Sequence, residues 1–202
     1  GVFAQGALVS VALDTATTDK PRVTPLYAPG PRESIEDIAI TRDAVLVAGF
    51  QNVRGRVLRF AFDGAAWRDS SIKLPPNGAV HFAGSDAQEE IAFALFTDFL
   101  TPSTLYALEG GGARAIRSLP AQFDASPYVS EQFEATSRDG TRVPYFVIRR
   151  RDQIASGDNP TLLYGYGGFQ VSMTPAYSAF IGKLWLDRGG TERIARGHHD
   201  LA

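Results

Sequence analysis

The chain has 202 residues, of which 44% are hydrophobic and 21% are charged, the composition of a folded globular protein rather than a disordered one. Its 20 basic and 22 acidic residues leave a formal net charge of −2, which gives no electrostatic reason to expect nucleic acid or a membrane surface as a partner. The absence of cysteine excludes disulfides, a catalytic thiol and thiolate-built zinc sites. With only three histidines besides, we expect no metal and no other cofactor.

The first residues read GVFA, without an initiator methionine, and no basic stretch followed by an apolar one marks a signal peptide. No apolar run approaches the roughly 18–20 residues that a membrane-spanning helix needs. We therefore expect a piece of a longer protein, located in the cytoplasm, where a cysteine-free chain fits a reducing environment.

Residues 6–120 alternate short β-rich runs with turn residues, and no stretch among them has a helical period. Glycine at 64, 78 and 110–112 supplies the turn positions that hairpins need. The strand candidates are residues 7–13, 44–49, 57–62, 91–96, 104–108 and 113–119.

This region contains a weak internal repeat. Residues 35–74 and 79–119 each predict four short strands, and each unit ends in a Leu-Pro pair. Four strands recurring every 40–50 residues or so are typical of a β-propeller blade. An ordinary antiparallel sandwich is the alternative.

After the second unit the pattern of the sequence changes. Residues 133–136 and 143–149 predict two strands. They flank Asp139 and Gly140, a two-residue hairpin signal. Residues 161–164 form a compact apolar run that predicts a buried strand.

A helix is predicted next. Thr174 and Pro175 are typical of an N-cap and a first helical residue, and Gly189 with Gly190 is typical of a helix end. Strand, glycine-rich turn and helix form an α/β pattern, unlike the region before it. The apolar stripe that predicts the helix consists of Tyr177, Phe180, Ile181, Leu184 and Trp185.

The glycine-rich turn between this strand and helix, residues 164–169 (YGYGGF), is the candidate site. It matches neither the dinucleotide fingerprint nor the phosphate loop. One interpretation is a tight turn packed on a core. The other is a ligand site in which glycine lets the backbone approach the ligand. There the hydroxyl of Tyr166 could donate to a developing oxyanion, and Phe169 could form an apolar wall.

Three segments carry a resemblance to a known family: residues 139–146 (DGTRVPYF), 163–169 (LYGYGGF) and 174–178 (TPAYS). Together they resemble the prolyl oligopeptidase family of serine peptidases, and the similarity extends over residues 124–190. Residues 52–56 resemble the last blades of the family's propeller more loosely.

The resemblance implies a mainly β fold. About two to three blades of a β-propeller would occupy residues 1–120, followed in residues 121–190 by the opening hairpin, strand and helix of an α/β-hydrolase domain. It implies hydrolysis of short proline-containing peptides on the carboxyl side of proline. It also implies that Tyr166 contributes to the oxyanion hole and that Phe169 lines the proline pocket.

The sequence departs from the family at the nucleophile. It contains no Gly-x-Ser-x-Gly elbow, and no serine follows Ser178. His81 lies in a predicted propeller strand, where a surface or structural role is expected, and His198 and His199 have no serine after them. Residues 191–202 read as an atypical polar tail. We therefore expect this chain alone to be inactive, and a noncatalytic β-repeat binding module is the alternative function.

Overall fold

The computed structural model of the protein describes residues 2–154, 156–166, 169 and 172–195. Within these ranges the chain is mainly β, with four sheets and one short α-helix. None of the helices in the described ranges is long and apolar enough to cross a membrane.

The first sheet is a two-stranded antiparallel ribbon of β1 (Leu8–Val11) and β2 (Val23–Tyr27). The strand predicted over residues 7–13 is shorter in the structure, because a 3-10 helix covers Leu13–Thr15.

Two four-stranded antiparallel sheets follow, and in each the strands pair in chain order. The first blade consists of β3 (Glu33–Ile40), β4 (Val45–Gln51), β5 (Arg54–Phe62) and β6 (Trp67–Ile72). The second blade consists of β7 (Ala79–Ser85), β8 (Ile91–Thr97), β9 (Thr104–Glu109) and β10 (Gly112–Ser118). The repeat predicted over residues 35–74 and 79–119 is therefore confirmed. Each unit is a propeller-type blade, and the alternative of an antiparallel sandwich is wrong.

The two blades pack on each other through small and branched side chains. Ala48 and Val57 of the first blade and Ala92 of the second are fully buried in one shared core. At the start of β5 the backbones themselves touch, since a Cβ added to Gly55 would meet the carbonyl oxygen of Gly78 at 2.8 Å. Small residues at this contact thus let the two sheets approach closely.

The fourth sheet, which we call the mixed sheet, combines a hairpin with a parallel pair. Its strand order is β11 (Tyr128–Thr136), β12 (Arg142–Arg150), β14 (Thr191–Ala195), β13 (Thr161–Gly165). The predicted hairpin turn is confirmed, with Gly140 at φ 89°. β13 and β14 run parallel, and the helix α1 (Ala179–Leu184) lies between them in the chain, which is the α/β unit that the sequence predicted.

The helix begins later than predicted. Thr174 and Pro175 were expected as N-cap and first helical residue, and this is wrong. Ser178 is the N-cap, because its hydroxyl accepts the N–H of Ile181 at 3.3 Å. Pro175 is buried in the non-helical segment that precedes the cap.

The end of the helical region agrees with the prediction. After α1 a 3-10 helix (Leu186–Arg188) stops at Gly189, whose φ of 84° is the left-handed conformation typical of a helix stop. The apolar stripe is only partly buried. Ile181 and Trp185 pack on a core, whereas Phe180 is 68% exposed.

The polar tail expected from residue 191 is instead a strand over its first five residues, β14. β14 lies between β12 and β13 and pairs with both. Its backbone N–H and C=O groups therefore have hydrogen-bond partners on both edges, although its sequence is largely polar. Thr191 and Ile194 are buried. Residues 196–202, with His198 and His199, lie outside the described residues.

A second core joins the blades to the mixed sheet. Val53 of the first blade and Phe99 of the second pack in the same cluster as Phe146 and Ile148 of β12. The rings of Phe99 and Phe146 lie 5.0 Å apart. Because Val53 and Phe99 follow β4 and β8, one end of both blades faces the mixed sheet.

Candidate functional site

The candidate turn lies at the carboxyl end of β13. Tyr166 follows the strand directly, and the chain continues from the turn towards α1. Ligand sites in α/β folds lie at the carboxyl ends of parallel strands, and β13 is parallel to β14. The turn therefore occupies a position suited to a site. Gly167 and Gly168, which were expected to admit a ligand, lie outside the described residues.

Both predicted site residues have accessible rings. Tyr166 is 40% exposed and Phe169 is 91% exposed. Phe169 also has a φ of 54°, a left-handed conformation that is rare for a bulky residue and is found where the surroundings impose it, often at functional sites. Aromatic rings packed on a core would be buried. The exposure thus favours the ligand-site interpretation of the turn, although the roles assigned to the two residues stay predictions.

An apolar cavity of about 270 Å³ lies beside β13. Its walls come from β13, the segment after the turn, the helix and β14: Leu162, Tyr164, Met173, Phe180 and Ile194. The turn therefore borders a recess in which an apolar group can be covered.

The segment after the turn is anchored by Tyr177, which the sequence placed only in a helical stripe. Its ring stacks on Phe123 with centroids 5.3 Å apart and planes at 10°. Its hydroxyl accepts the N–H of Gln122 at 2.7 Å. These contacts tie the segment to the connection between the second blade and the mixed sheet. No sequence signal pairs residues so far apart in the chain.

Two pKa shifts occur beside the second core. Burial, with help from the nearby Asp187 carboxylate, raises the pKa of Tyr128, whose hydroxyl donates to Asp187 at 3.0 Å. Burial also raises the pKa of Asp98, which accepts the N–H groups of Leu100 and Thr101. Both groups hold local structure, the first at the 3-10 helix and the second in the loop after β8.

The other candidate groups are explained by structure. His81 is exposed on β7, as expected of a surface histidine. In the basic run of residues 149–151, Arg149 pairs with Glu131 at 2.7 Å and Arg150 with Asp152 at 3.0 Å, which favours a solvated strand end over a binding patch. Among the described residues no group of three or more histidine, aspartate or glutamate side chains could hold a metal ion.

Comparison with curated proteins finds relatives along nearly the whole chain. A protein named as an uncharacterized peptidase of Sinorhizobium fredii is 39% identical over 198 residues, 96% of this chain and 27% of that protein. A prolyl endopeptidase of Elizabethkingia miricola is 35% identical over 121 residues, 59% of this chain and 17% of that protein. The chain thus spans 27% or less of the length of these relatives. No family model matches the sequence.

The fold has solved counterparts. A post-proline cleaving enzyme from Rickettsia typhi is similar with a TM-score of 0.77 and 32% sequence identity. The match covers 94% of this chain and 28% of that enzyme. Sequence and fold therefore agree on the same group of proteins.

Proposed function

Because the chain belongs to the prolyl oligopeptidase family, we propose that it is part of a serine peptidase that cleaves short peptides on the carboxyl side of proline. The observation that supports the proposal most strongly is the exposed aromatic turn between β13 and α1. Along the chain, β13 is the third strand of the mixed sheet. In α/β-hydrolases the loop after the third strand supplies one donor of the oxyanion hole.

The proposed domain arrangement follows from the same comparison. Residues 1–120 would be the C-terminal part of a β-propeller, and residues 121–190 would open an α/β-hydrolase domain, which β14 extends. The parallel β13–α1–β14 unit supports the second assignment. The cysteine-free composition supports a reducing compartment, the cytoplasm.

In the proposed mechanism a serine attacks the carbonyl carbon of the proline residue, while a histidine takes the proton of the serine. The histidine then delivers this proton to the leaving amine as the peptide bond breaks, and water hydrolyses the acyl-enzyme that remains. The Tyr166 hydroxyl donates a hydrogen bond to the oxyanion of the tetrahedral intermediate. Phe169 packs on the proline ring. Since the sequence has no nucleophile elbow, we expect these 202 residues alone to leave a peptide intact.

A noncatalytic binding module remains the second candidate, and one observation favours it. Ile38 and Ile40 on β3, Phe62 on β5 and Ile116 on β10 are large apolar side chains that are 44% or more exposed. Exposed apolar surface of this kind can bind a partner. Sequencing the encoding DNA downstream of the Gly190 codon separates the two candidates. A nucleophilic serine elbow encoded there favours the peptidase, and its absence favours the binding module.

The proposed role of Tyr166 can be tested in a chimera in which this chain replaces the matching residues of the Sinorhizobium fredii peptidase. Tyr166→Phe keeps the ring and removes only the donor. We expect kcat on a proline-containing peptide to fall by about 10²–10³-fold with KM nearly unchanged. Tyr164→Phe, on a neighbouring ring that is 49% exposed, is the matched control. Full turnover in the Tyr166→Phe chimera would exclude the oxyanion role.

A further inference from the structure

The chain contains three asparagines, Asn52, Asn77 and Asn159, and only Asn77 is followed by glycine. An asparagine can lose its side-chain amide when the backbone nitrogen of the next residue attacks the side-chain carbonyl carbon, Cγ. Glycine hinders this attack least, because it has no Cβ. Val53 shields the nitrogen after Asn52 with a β-branched side chain, and Pro160 leaves no N–H after Asn159.

The fold favours both members of the Asn77–Gly78 pair. Asn77 has a left-handed backbone, with φ 58°, a conformation that asparagine adopts more readily than most residues other than glycine. At Gly78 an added Cβ would lie 2.1 Å from the ring of Phe96, which is only 1% exposed. The Gly78 carbonyl oxygen also accepts the N–H of Gly55 at 2.7 Å, where the two blades touch. Packing therefore keeps a chemically labile pair in place just before β7.

The Asn77 carboxamide joins the second blade to the mixed sheet. Its Nδ2 donates to the carbonyl oxygen of Ser130 on β11 at 2.9 Å. Its Oδ1 is buried and has no hydrogen-bond partner in the described part of the chain. Because a buried acceptor without a partner costs free energy, the hydrogen bond to Ser130 is what holds this side chain in place.

An open recess of about 450 Å³ lies beside this carboxamide, and Asn77 and Ser130 both line it. A carboxamide that leaves the Ser130 carbonyl oxygen therefore lies within reach of solvent. Loss of the amide needs such access, since a base must take the proton of the Gly78 nitrogen and water must later hydrolyse the product.

We propose that Asn77 is a site of spontaneous deamidation, that its hydrogen bond to Ser130 slows the reaction in the folded protein, and that the product weakens the contact with β11. The Gly78 nitrogen forms a bond to Asn77 Cγ and loses its proton to solvent, and the side-chain nitrogen takes up a proton and leaves as ammonia. A water molecule then hydrolyses the cyclic imide. Cleavage of the bond from Cγ to nitrogen gives aspartate, and cleavage at the backbone carbonyl carbon gives isoaspartate.

Either product weakens the contact with β11. An ionised carboxylate has no hydrogen to donate to the Ser130 carbonyl oxygen and places a negative charge beside it. Of the charged residues that line the recess, Arg151 attracts the new carboxylate and Asp98 repels it, so the lost donor is the main change. The modification is independent of the peptidase function proposed above.

Peptide mapping by mass spectrometry measures the reaction in the unaltered chain, incubated at one mildly alkaline pH either folded or in guanidinium chloride. We expect Asn77 to convert faster than Asn52 and Asn159, which are internal controls in the same digest. Its rate should be about tenfold lower in the folded chain, a factor that corresponds to about 1.4 kcal/mol, within the range of one hydrogen bond. Equal rates in the two states overturn the proposal, as does faster conversion at either control.

Asn77→Asp introduces the aspartate product directly and should lower the midpoint of urea unfolding. Asn159→Asp is the matched control, because Asn159 Nδ2 also donates to a backbone carbonyl oxygen, that of Ile154 at 2.9 Å, but in an exposed loop. The control should leave the midpoint nearly unchanged. Equal midpoints in the parent and in Asn77→Asp contradict the proposed loss of contact. If Asn77→Asp does not fold, the midpoint of the parent after partial deamidation, compared with that of a fresh sample, decides the same point.

Discussion

Phe169 combines high exposure with a backbone conformation that a phenylalanine adopts only under constraint. If its ring covers the proline of a substrate, Phe169→Ala in the chimera should raise KM, with a loss of about 1–3 kcal/mol in binding. Phe62→Ala, on an exposed ring of the first blade, is the control and should leave KM unchanged. Steady-state kinetics with melting temperatures measures both. A fall in activity that only follows a fall in Tm would assign Phe169 a structural role.

The contacts of Glu33 should make the free energy of unfolding depend on pH. It accepts the N–H of Gly30 and the hydroxyl of Tyr27 and pairs with Arg56 at 2.9 Å, and these contacts, led by Gly30, hold its pKa below the ordinary 4.5. A carboxylate with a lowered folded pKa stabilises the fold above its unfolded pKa, and that stability is lost as pH falls through the folded pKa.

We therefore expect the free energy of unfolding to decrease as pH falls below about 4.5, and Glu33→Gln to make the decrease shallower. Urea titrations at a series of pH values measure the two slopes. Identical slopes in the two chains would show that the contacts of Glu33 do not contribute to acid sensitivity.

Some of the residues that form the site could be predicted from the sequence, and others could not. Tyr166 and Phe169 could be selected because glycine and aromatic residues alternate in one short stretch. The stack of Tyr177 on Phe123 and the insertion of Val53 could not, because each depends on partners far away in the chain. A valine in left-handed backbone contradicts its local preference, and tertiary packing overrides that preference.

At the scale of elements, strands were predicted more reliably than the helix. Period-two alternation and glycine turns predicted both blades. These local signals were sufficient because each blade strand pairs with its neighbour in the chain. The helix start was misplaced because Thr174-Pro175 and Ser178 both satisfy the local signals, and only the cap hydrogen bond to Ile181 decides between them. β14 was missed because its polarity resembles a tail, whereas its two neighbours make it a strand.

α1 packs through a glycine. A Cβ added to Gly182 would lie 2.1 Å from Phe123, a ring already held between Tyr177 and Tyr128. Gly182→Ala should therefore destabilise the chain by about 1–3 kcal/mol, despite the better helix propensity of alanine. Gly157→Ala, with open space around it, is the matched control. Urea unfolding measures both variants, and equal stability would show that α1 can shift without cost.

The loop of residues 156–160 is the expected site of first proteolysis. Four of its five residues are exposed, and it connects β12 to β13. The connection between the second blade and the mixed sheet, residues 119–128, is a second candidate for cleavage, but Phe123 at its centre is buried. Limited proteolysis with mass spectrometry should find the first cut in residues 156–160. A first cut within β5 would show that the first blade is not stably folded.

At the scale of the whole molecule, sheet edges and exposed apolar side chains reduce stability. The first blade presents Ile38 and Ile40 on its edge strand β3, and open edges of this kind favour aggregation. We expect a low-midpoint urea transition for this chain. A single steep transition with a high midpoint would contradict that expectation.

We propose that this chain supplies working parts of a post-proline peptidase. The most direct measurement is to incubate the chimera with a peptide that contains a single proline and to identify the products by mass spectrometry. We expect the chimera to make one cut, on the carboxyl side of proline, and the 202-residue chain alone to make none. A chimera that folds with the relative's melting temperature and cuts elsewhere, or does not cut at all, would contradict it.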